Sequence, residues 1–261
     1  MKKEMTLEEM NREADRLDII DTCWNMVSAY AFMHSNNVDR SLFFDKMWSK
    51  SDDIVHVMPW GIEVTRESNE YNRHPTDTIY NADDPPVEGG FVHNGMLMFH
   101  SITTPVIEVA EDMKSCRLAF RSPGHETCVW PVNANEMEYS AEWAWSAYGW
   151  DFILEDGQWR VKNMRVTPVF KCSPRVSWAE APALAPDVIE SIVKNLPPDT
   201  IPAPRLFQYT ADVIVPSDEP EPPEPYHDLE TCKGRTEIGI GYAAIHGFAS
   251  VTEQQGETKE G

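Results

Sequence analysis

The spacing of apolar side chains predicts a long helix at the start of the chain. Between residues 6 and 35 apolar positions recur every three or four residues, which is the period of one helical face. Thr6 and Glu9 form the capping box that is typical of a helix start. Asn36-Asn37 marks the expected end, and a second, shorter helix is predicted over 39–48.

Beyond residue 48 the pattern changes to extended segments separated by turn residues, which is typical of β-strands. The predicted strands cover residues 53–64, 96–110, 115–122, 125–130, 136–154 and 158–170. The segment 122–124 (Ser-Pro-Gly) separates two of them, and 155–157 (Glu-Asp-Gly) predicts the last hairpin turn. Residues 65–94 show little periodicity and are predicted as a long excursion. Helices followed by long antiparallel strands predict an α+β fold.

The composition changes after residue 172, which divides the chain into two predicted units. Residues 1–172 form the folded domain, and residues 173–261 form an irregular, Pro-rich C-terminal extension. Within the extension, 216–225 is an acidic, Pro-rich linker that we expect to be extended. The segment 236–248 (TEIGIGYAAIHGF) is apolar enough to dock on the domain or on a neighbouring subunit.

Charge and aromatic content narrow the classes of partner. The formal net charge is −21, and phosphate binding needs clustered Lys and Arg, so no nucleic-acid partner is expected. The same charge disfavours anionic membrane surfaces. Nine tryptophans can pack a core, or they can line a pocket for a ring-shaped ligand.

The cysteines and the N-terminus predict a cytoplasmic protein with reduced thiols. There are five cysteines, an odd number, and no two of them form C-x-x-C. The N-terminal stretch is charged and has no apolar signal-like core. No Cys/His spacing is typical of a zinc site, and no motif of a nucleotide cofactor is present, so we expect neither a metal nor a cofactor.

One histidine stands out within MLMFHSITTPVIEV, residues 96–109, where His100 lies among apolar neighbours. Strand alternation puts its side chain on the same face as Met98 and Ile102. A buried imidazole costs free energy unless it is hydrogen-bonded, so the ring either has a partner in the core or faces a cavity. In a cavity, an imidazole can take and return a proton near neutral pH. The residues alone leave both interpretations open.

Three segments in order resemble a known family. They are AYAFMHSNNVDRSLFFDKMW, HSITTPVIEVAEDMKSCRLAF and SAYGWDFILEDGQWRVKNMRV. Together they resemble the SnoaL-like branch of the NTF2-like superfamily, which has a cystatin-like fold. The features that carry the resemblance are a His that opens a strand, a Pro-Val-Ile-Glu-Val run, an acidic turn, a strand Tyr and an Asp-Gly-x-Trp-Arg hairpin. The matching positions are His100, 105–109, 111–112, Tyr148 and 156–160. The resemblance covers about residues 15–172.

The resemblance implies a cone-shaped, curved antiparallel sheet wrapped around the N-terminal helices, with an apolar pocket inside. Scytalone dehydratase-like members keep a catalytic His at the position of His100 and pair it with a second His, which would be His125. The residues themselves equally allow His125, beside Gly124 and Glu126, to be a turn histidine that faces solvent. They also use a helix Tyr to bind a substrate oxygen, here Tyr30. The family pattern continues with an Asp, but Ser35 occupies that position, so the usual His–Asp pair is not assured. The fold also implies a homo-oligomer, a dimer or a trimer.

Aromatic residues on the strands supply the expected binding surface. On the long strand, Tyr139, Trp143 and Trp145 share one face, and Tyr148, Trp150 and Phe152 share the other. Tyr148 matches the family's strand Tyr, which favours its face. The predicted substrate-binding residues are Tyr148, Trp60, His56 and Trp145. A metal set of His56, His100 and His125 is a weaker alternative, because nothing in their spacing demands it.

These observations lead to two hypotheses from different classes. The first is a cofactor-independent lyase that uses acid–base elimination on a hydroxylated aromatic or polycyclic small molecule. The leaving fragment would be water or a small carbonyl compound such as formaldehyde. The alternative is a non-catalytic small-molecule-binding or assembly protein with the same fold, because a fold does not determine an activity.

Overall fold

A computed structural model of the chain describes one helix, a sheet and part of the C-terminal extension. The described residues are 4–35, 46–58, 61–67, 97–133, 136–180, 190, 194, 196, 200–202, 209 and 220–232. Most of the predicted second helix (39–48) and most of the excursion (65–94) lie outside these residues, as do Trp60 and the segment 236–248. Within the described ranges, no helix has the length and apolar character needed to cross a membrane.

The N-terminal helix α1 covers Leu7–Ser35, which confirms the predicted helix. Its capping box is formed: the Thr6 amide donates to Glu9 Oε2 at 2.7 Å, and the Glu9 amide donates to Thr6 Oγ1 at 3.1 Å. Cys23 and Val27, one turn apart, are fully buried in the main hydrophobic core. The helix is therefore held to the sheet along one face.

The sheet follows the helix in sequence. Its strands are β1 (Val55–Met58), β2 (Gly61–Glu63), β3 (Leu97–His100), β4 (Thr103–Val109), β5 (Ser115–Asn133), β6 (Glu136–Glu155), β7 (Gln158–Cys172) and β8 (Ile201–Pro202). The strand order is β3-β5-β6-β7-β1-β2-β8, and β4 pairs with β5 next to β3. The pairing of β1 with β7 is parallel, and the other pairings are antiparallel. One helix before a mostly antiparallel sheet confirms the predicted α+β class.

The prediction of two strands separated by Ser122-Pro123-Gly124 is wrong, because β5 runs through this segment without a break. Pro123 lies opposite Trp145 of β6, and the Ser101 amide donates to the Pro123 carbonyl at 3.1 Å. The carbonyl of Pro123 therefore points to the junction of β3 and β4. The missing N–H of proline points to the same side, where its absence costs no bond to β6.

The strand predicted over 96–110 is divided in two. Ser101 and Ile102 separate β3 from β4, and the register of β4 on β5 shifts between Thr103 and Val106. Thr104, at φ 50°, lies inside this irregularity. As a result, β3 ends at His100, next to the two residues that connect it to β4.

The predicted turn between β6 and β7 is confirmed. Asp156 and Gly157 have φ values of 52° and 72°, as a two-residue hairpin turn with both central residues in the left-handed region requires. From Glu155 and Gln158 the two strands pair along most of their lengths.

The sheet has two faces with different partners. The inner face packs on α1, where Trp24 meets Phe120 edge-on at 6.3 Å between ring centroids. Tyr148, Trp150 and Phe152 are buried in this core, so the face that the sequence favoured for Tyr148 is the inner one. Along each strand, the residues that alternate with these inner ones point to the opposite side, which we call the outer face. Arg117 on β5 is an example.

Part of the C-terminal extension packs on the outer face. The backbone amides of Glu111 and Asp112 donate to the carbonyls of Tyr226 and His227 at 3.0 and 3.2 Å. Tyr226 is buried, and its hydroxyl lies 3.1 Å from Ser115 Oγ. The described part of the predicted linker, residues 220–225, has no helix or strand, and it leads directly into this contact. The division of the chain at residue 172 stays a prediction.

Candidate functional site

The central pair of the site is formed by His100 at the end of β3 and Glu126 on β5. Met98 lies opposite Glu126 and His100 lies opposite Gly124, so these side chains share the inner face. His100 Nε2 is 3.0 Å from Glu126 Oε1. The side chains are 9% and 14% exposed, respectively, so the pair is largely shielded from water.

Gly124 makes room for the imidazole. A Cβ atom at this position would lie well inside van der Waals distance of Nδ1 and Cε1 of His100, and 2.7 Å from the carbonyl oxygen of Ala144. The ring therefore lies directly on the backbone of β5, which only glycine permits. The Ser-Pro-Gly segment is part of the site and does not end a strand.

A lysine and a second carboxylate complete the charged side of the site. Lys171 of β7 places Nζ 2.6 Å from Glu126 Oε2 and 2.9 Å from Glu142 Oε2. Glu142 lies opposite Glu126 on β6, and Lys171 lies opposite Ala144. Three neighbouring strands thus present one charged row beside His100, in which Lys171 contacts both carboxylates.

The charges in this row determine the protonation of Glu126. Burial by itself would raise the pKa of Glu126, but the hydrogen bond with His100 and the charge of Lys171 outweigh it and lower the pKa to about 2. Burial by itself would lower the pKa of Lys171, but Glu126 and Glu142 outweigh it and raise that pKa above its ordinary range. An ionised Glu126 can only accept, so His100 donates from Nε2, and Nδ1 is the nitrogen that can take a proton.

Helix α1 brings aromatic rings to the other side of His100. His34 meets the His100 ring edge-on at 4.9 Å between centroids. Tyr30 lies one turn earlier, 5.5 Å from the His34 ring and 5.1 Å from the Trp150 ring. The order Trp150, Tyr30, His34, His100 forms a chain of ring contacts from the hydrophobic core to the charged row.

Tyr30 and Tyr148 lie on the same side of the sheet as His100. Tyr30 is linked to His100 through the ring of His34. Tyr148 is 4% exposed and stacks on Phe120 at 4.8 Å, deeper in the core. The structure therefore brings Tyr30 to the site, whereas Tyr148 is a core residue.

The expectation that His100 and His125 point into one cavity is wrong. His125 follows Gly124 on an unbroken strand, so it points to the outer face, where it is exposed and lies 4.5 Å from the Trp143 ring. The prediction assumed a turn between two strands, and the continuity of β5 removes that turn. The alternative metal set of His56, His100 and His125 is therefore not assembled. Among the described residues, no group of three or more potential ligands could hold a metal ion.

Two further predicted binding residues lie away from His100. Trp145 is 43% exposed on the outer face and stacks on Phe170 at 5.5 Å. His56 of β1 is four places from β3 in the strand order, with Nδ1 3.6 Å from Glu63 Oε2 and its ring 5.6 Å from Trp48. Neither residue contributes to the row around Glu126.

Sequence reasoning missed the carboxylate of the site. Glu126, Glu142 and Lys171 carried no motif, and His34 was not among the predicted site residues. One signal was available: Gly124 and Glu126 alternate on one strand, as Met98 and His100 do on another. Pairing these two strands in the correct register would have placed Glu126 beside His100.

A groove of ≈ 550 Å³ lies elsewhere, between the first half of α1 and the β6–β7 hairpin. Its lining combines the acidic side chains Glu8, Asp15 and Asp18 of the helix with apolar ones such as Trp159 from β7. It lies toward the opposite end of α1 from Tyr30 and His34, so it is separate from the site around His100.

No family model matches this sequence, and no curated protein matches it. Solved structures similar to this chain include an NTF2-like protein with a cystatin-like fold from Novosphingobium aromaticivorans (11% identity, 64% of this chain and 92% of that chain, TM-score 0.41). A protein from the same organism with a provisional assignment as a scytalone dehydratase is 11% identical over 65% of this chain and 96% of its own, with TM-score 0.43. A hexachlorocyclohexane dehydrochlorinase is 11% identical over 67% and 97%, with TM-score 0.45.

The lowered pKa of Glu126 predicts how stability depends on pH. The folded-state pKa of about 2 lies below the ordinary value of 4.5, so the ionised carboxylate stabilises the folded state above pH 4.5, and this contribution is lost as the pH falls through 2. We expect the difference in unfolding free energy between the wild type and Glu126→Gln to shrink by up to about 3 kcal/mol from pH 6 to pH 2. Urea unfolding at several pH values measures this difference.

The exposed Glu180 supplies the control for that experiment. Glu180→Gln is expected to change the unfolding free energy by less than about 0.5 kcal/mol, because the side chain of Glu180 is exposed. A difference for Glu126→Gln that stays constant from pH 6 to pH 2 would contradict the ionised state assigned to Glu126.

Proposed function

We propose that this protein is a cofactor-independent lyase that eliminates water or a small carbonyl fragment from a hydroxylated aromatic or polycyclic small molecule. The observation that supports this most directly is the hydrogen bond of 3.0 Å between His100 and Glu126. The sequence lacks the expected carboxylate at Ser35, and Glu126 supplies one from a neighbouring strand. A histidine oriented by an ionised carboxylate is a suitable general base.

In the proposed reaction His100 acts as the proton carrier. The imidazole first turns away from Gly124, so that Nδ1 faces the substrate. Nδ1 then takes a proton from a carbon next to an electron-withdrawing group, and the electron pair of that C–H bond forms the new double bond. The C–O bond to the hydroxyl breaks, and the leaving oxygen takes the proton back from the imidazolium as water departs. Glu126 stabilises the imidazolium between these two transfers, and Lys171 keeps Glu126 ionised.

Tyr30 is the candidate for polarising the substrate. Its phenol can donate a hydrogen bond to a carbonyl or phenolate oxygen, which would stabilise the charge that develops as the proton leaves carbon. The ring of His34 beside it offers a flat surface for an aromatic substrate, and the buried Trp150 ring packs against Tyr30 from the core side. This arrangement favours a planar, oxygenated ligand over an aliphatic or highly charged one.

The alternative is a binding or assembly protein with the same fold. It is favoured by the close packing of the site, since the His100 side chain is only 9% exposed and rings occupy its inner side. A substrate must therefore displace or reorient some of these rings, whereas a structural role for the pair requires no such change.

A substrate screen combined with three variants separates the two hypotheses. Purified protein is incubated with hydroxylated phenylpropanoid, naphthalene and steroid-like compounds, and loss of water or formaldehyde is followed by liquid chromatography and mass spectrometry. We expect His100→Asn to lower kcat on a converted compound by about 10²–10⁴-fold, as removal of a general base does. Glu126→Gln should lower it to a smaller extent.

His125→Asn is the matched control, because this histidine is exposed on the outer face. It is expected to keep kcat within about twofold of the wild type. Full turnover by His100→Asn would overturn the assignment of the base. Tight binding of a compound without conversion between pH 5 and pH 8 would favour the binding protein instead.

A further inference from the structure

An aromatic patch lies on the outer face, away from the proposed site. We define it as Phe99, His125, Trp143, Trp145, Phe170 and Trp178. Three of its rings are well exposed: Phe99 is 51% exposed, Trp145 43% and Trp178 59%. Large apolar side chains that are exposed together indicate an interaction surface rather than a core.

The rings of the patch are arranged in two short rows. His125 and Trp143 lie 4.5 Å apart, and Phe99 is opposite His125 on the neighbouring strand. Trp145 stacks on Phe170 at 5.5 Å, and Phe170 stacks on Trp178 at 5.9 Å. None of the six residues of the patch is acidic, Lys or Arg, so the patch itself suits an apolar partner.

The C-terminal extension already uses this side of the sheet. The Arg117 guanidinium lies 5.6 Å from the centre of the Tyr226 ring and donates to Cys232 Sγ. Arg117 and His125 are on the same face of β5, about 26 Å apart along the strand. The chain thus arrives on the outer face before the segment 236–248 begins.

That segment has the reach and the pattern to cover the patch. An extended chain from Cys232 to residue 248 spans up to about 50 Å, more than the distance to His125. Ile238, Ile240 and Tyr242 alternate with glycines, so an extended backbone presents apolar side chains on one side and none on the other. A flat apolar strip of this kind is complementary to a flat aromatic surface.

We propose that residues 236–248 bind to the aromatic patch of the same chain. Because the segment is attached to the folded chain at Cys232, its effective concentration at the patch is in the millimolar range. A second copy of the chain is the less favoured occupant, because each copy carries a net charge of −21 and the two would repel each other. The extension then continues along the outer face from Arg117 to Trp143.

Photo-cross-linking in the full chain tests this proposal. A benzoylphenylalanine residue is placed at position 143, the protein is irradiated, and the cross-linked peptides are identified by mass spectrometry. A mixture of ¹⁴N- and ¹⁵N-labelled chains distinguishes links within one chain from links between two. We expect links from position 143 to residues 236–248 that join peptides of the same isotope. The same probe at Leu17, which is 51% exposed on α1, should give no such link.

A double substitution in the segment tests whether its apolar side chains are responsible for the cross-link. Ile238→Asp with Ile240→Asp should lower the yield of the link by about tenfold, because two charged side chains replace two buried apolar ones. Links between light and heavy chains would overturn the proposal in favour of a dimer through the patch. Links that avoid residues 236–248, or no links at all, would also overturn it.

Discussion

Replacing Asp151 by alanine is expected to lower the free energy of unfolding by about 3–5 kcal/mol, because it leaves a buried guanidinium without its carboxylate. Arg117 Nε lies 3.2 Å from Asp151 Oδ1, and each residue is 1% exposed. Asn163 also donates to Asp151 Oδ2 at 3.0 Å. Urea unfolding monitored by tryptophan fluorescence gives the change.

A double variant shows whether the loss comes from the unpaired charge. Arg117→Met with Asp151→Leu removes both charges and fills a similar volume, so we expect it to recover much of the stability that Asp151→Ala loses. A loss below about 1 kcal/mol in Asp151→Ala would mean that water reaches Arg117, and that the extension does not seal the outer face there.

Replacing Gly124 by alanine is expected to displace the His100 ring and to lower stability by about 1–3 kcal/mol, as overpacking of a filled site does. The added Cβ would overlap the imidazole and would lie 2.7 Å from the Ala144 carbonyl oxygen, so both a side chain and a backbone must move. The ring resonances of His100 in NMR spectra report the displacement directly. Turnover in the proposed reaction should fall with it.

Two controls separate crowding at His100 from a general cost of adding a methyl group. Gly157→Ala adds its Cβ to open space at φ 72°, so it should cost about 1 kcal/mol through backbone strain and leave the His100 resonances unchanged. In a double-mutant cycle, His100→Ala should relieve part of the penalty of Gly124→Ala. Unchanged stability together with unchanged His100 resonances in Gly124→Ala would contradict the close approach.

The site suggests why the sequence can do without an acidic residue at position 35. The carboxylate partner of His100 comes from β5 in the form of Glu126, and the helix contributes His34 next to the usual position. His100 and Lys171 then hold Glu126 ionised in a shielded environment, and Glu142 is a second partner of Lys171. A pair assembled entirely on the sheet is rigid, because both members are fixed by strand pairing.

Local patterns in the sequence were sufficient for features that depend on neighbouring residues. Thr6 and Glu9 lie three positions apart and cap α1 as predicted, since a capping box needs only one turn of chain. Asp156-Gly157 forms the predicted hairpin turn for the same reason. The alternation along β6 also placed Tyr148 with Trp150 and Phe152, and the resemblance indicated which of the two faces lies inside.

Tertiary structure decided every feature that depends on the register between distant segments. The sequence determined that His100 belongs to a strand with a definite face, but the choice of its partner required the pairing of β3 with β5. A shift of one residue moves every side chain to the other face, and the continuity of β5 through Pro123 therefore placed Glu126 inside and His125 outside. Composition alone likewise could not show that Tyr226 would pack beside Arg117, because that contact joins parts of the chain far apart in sequence.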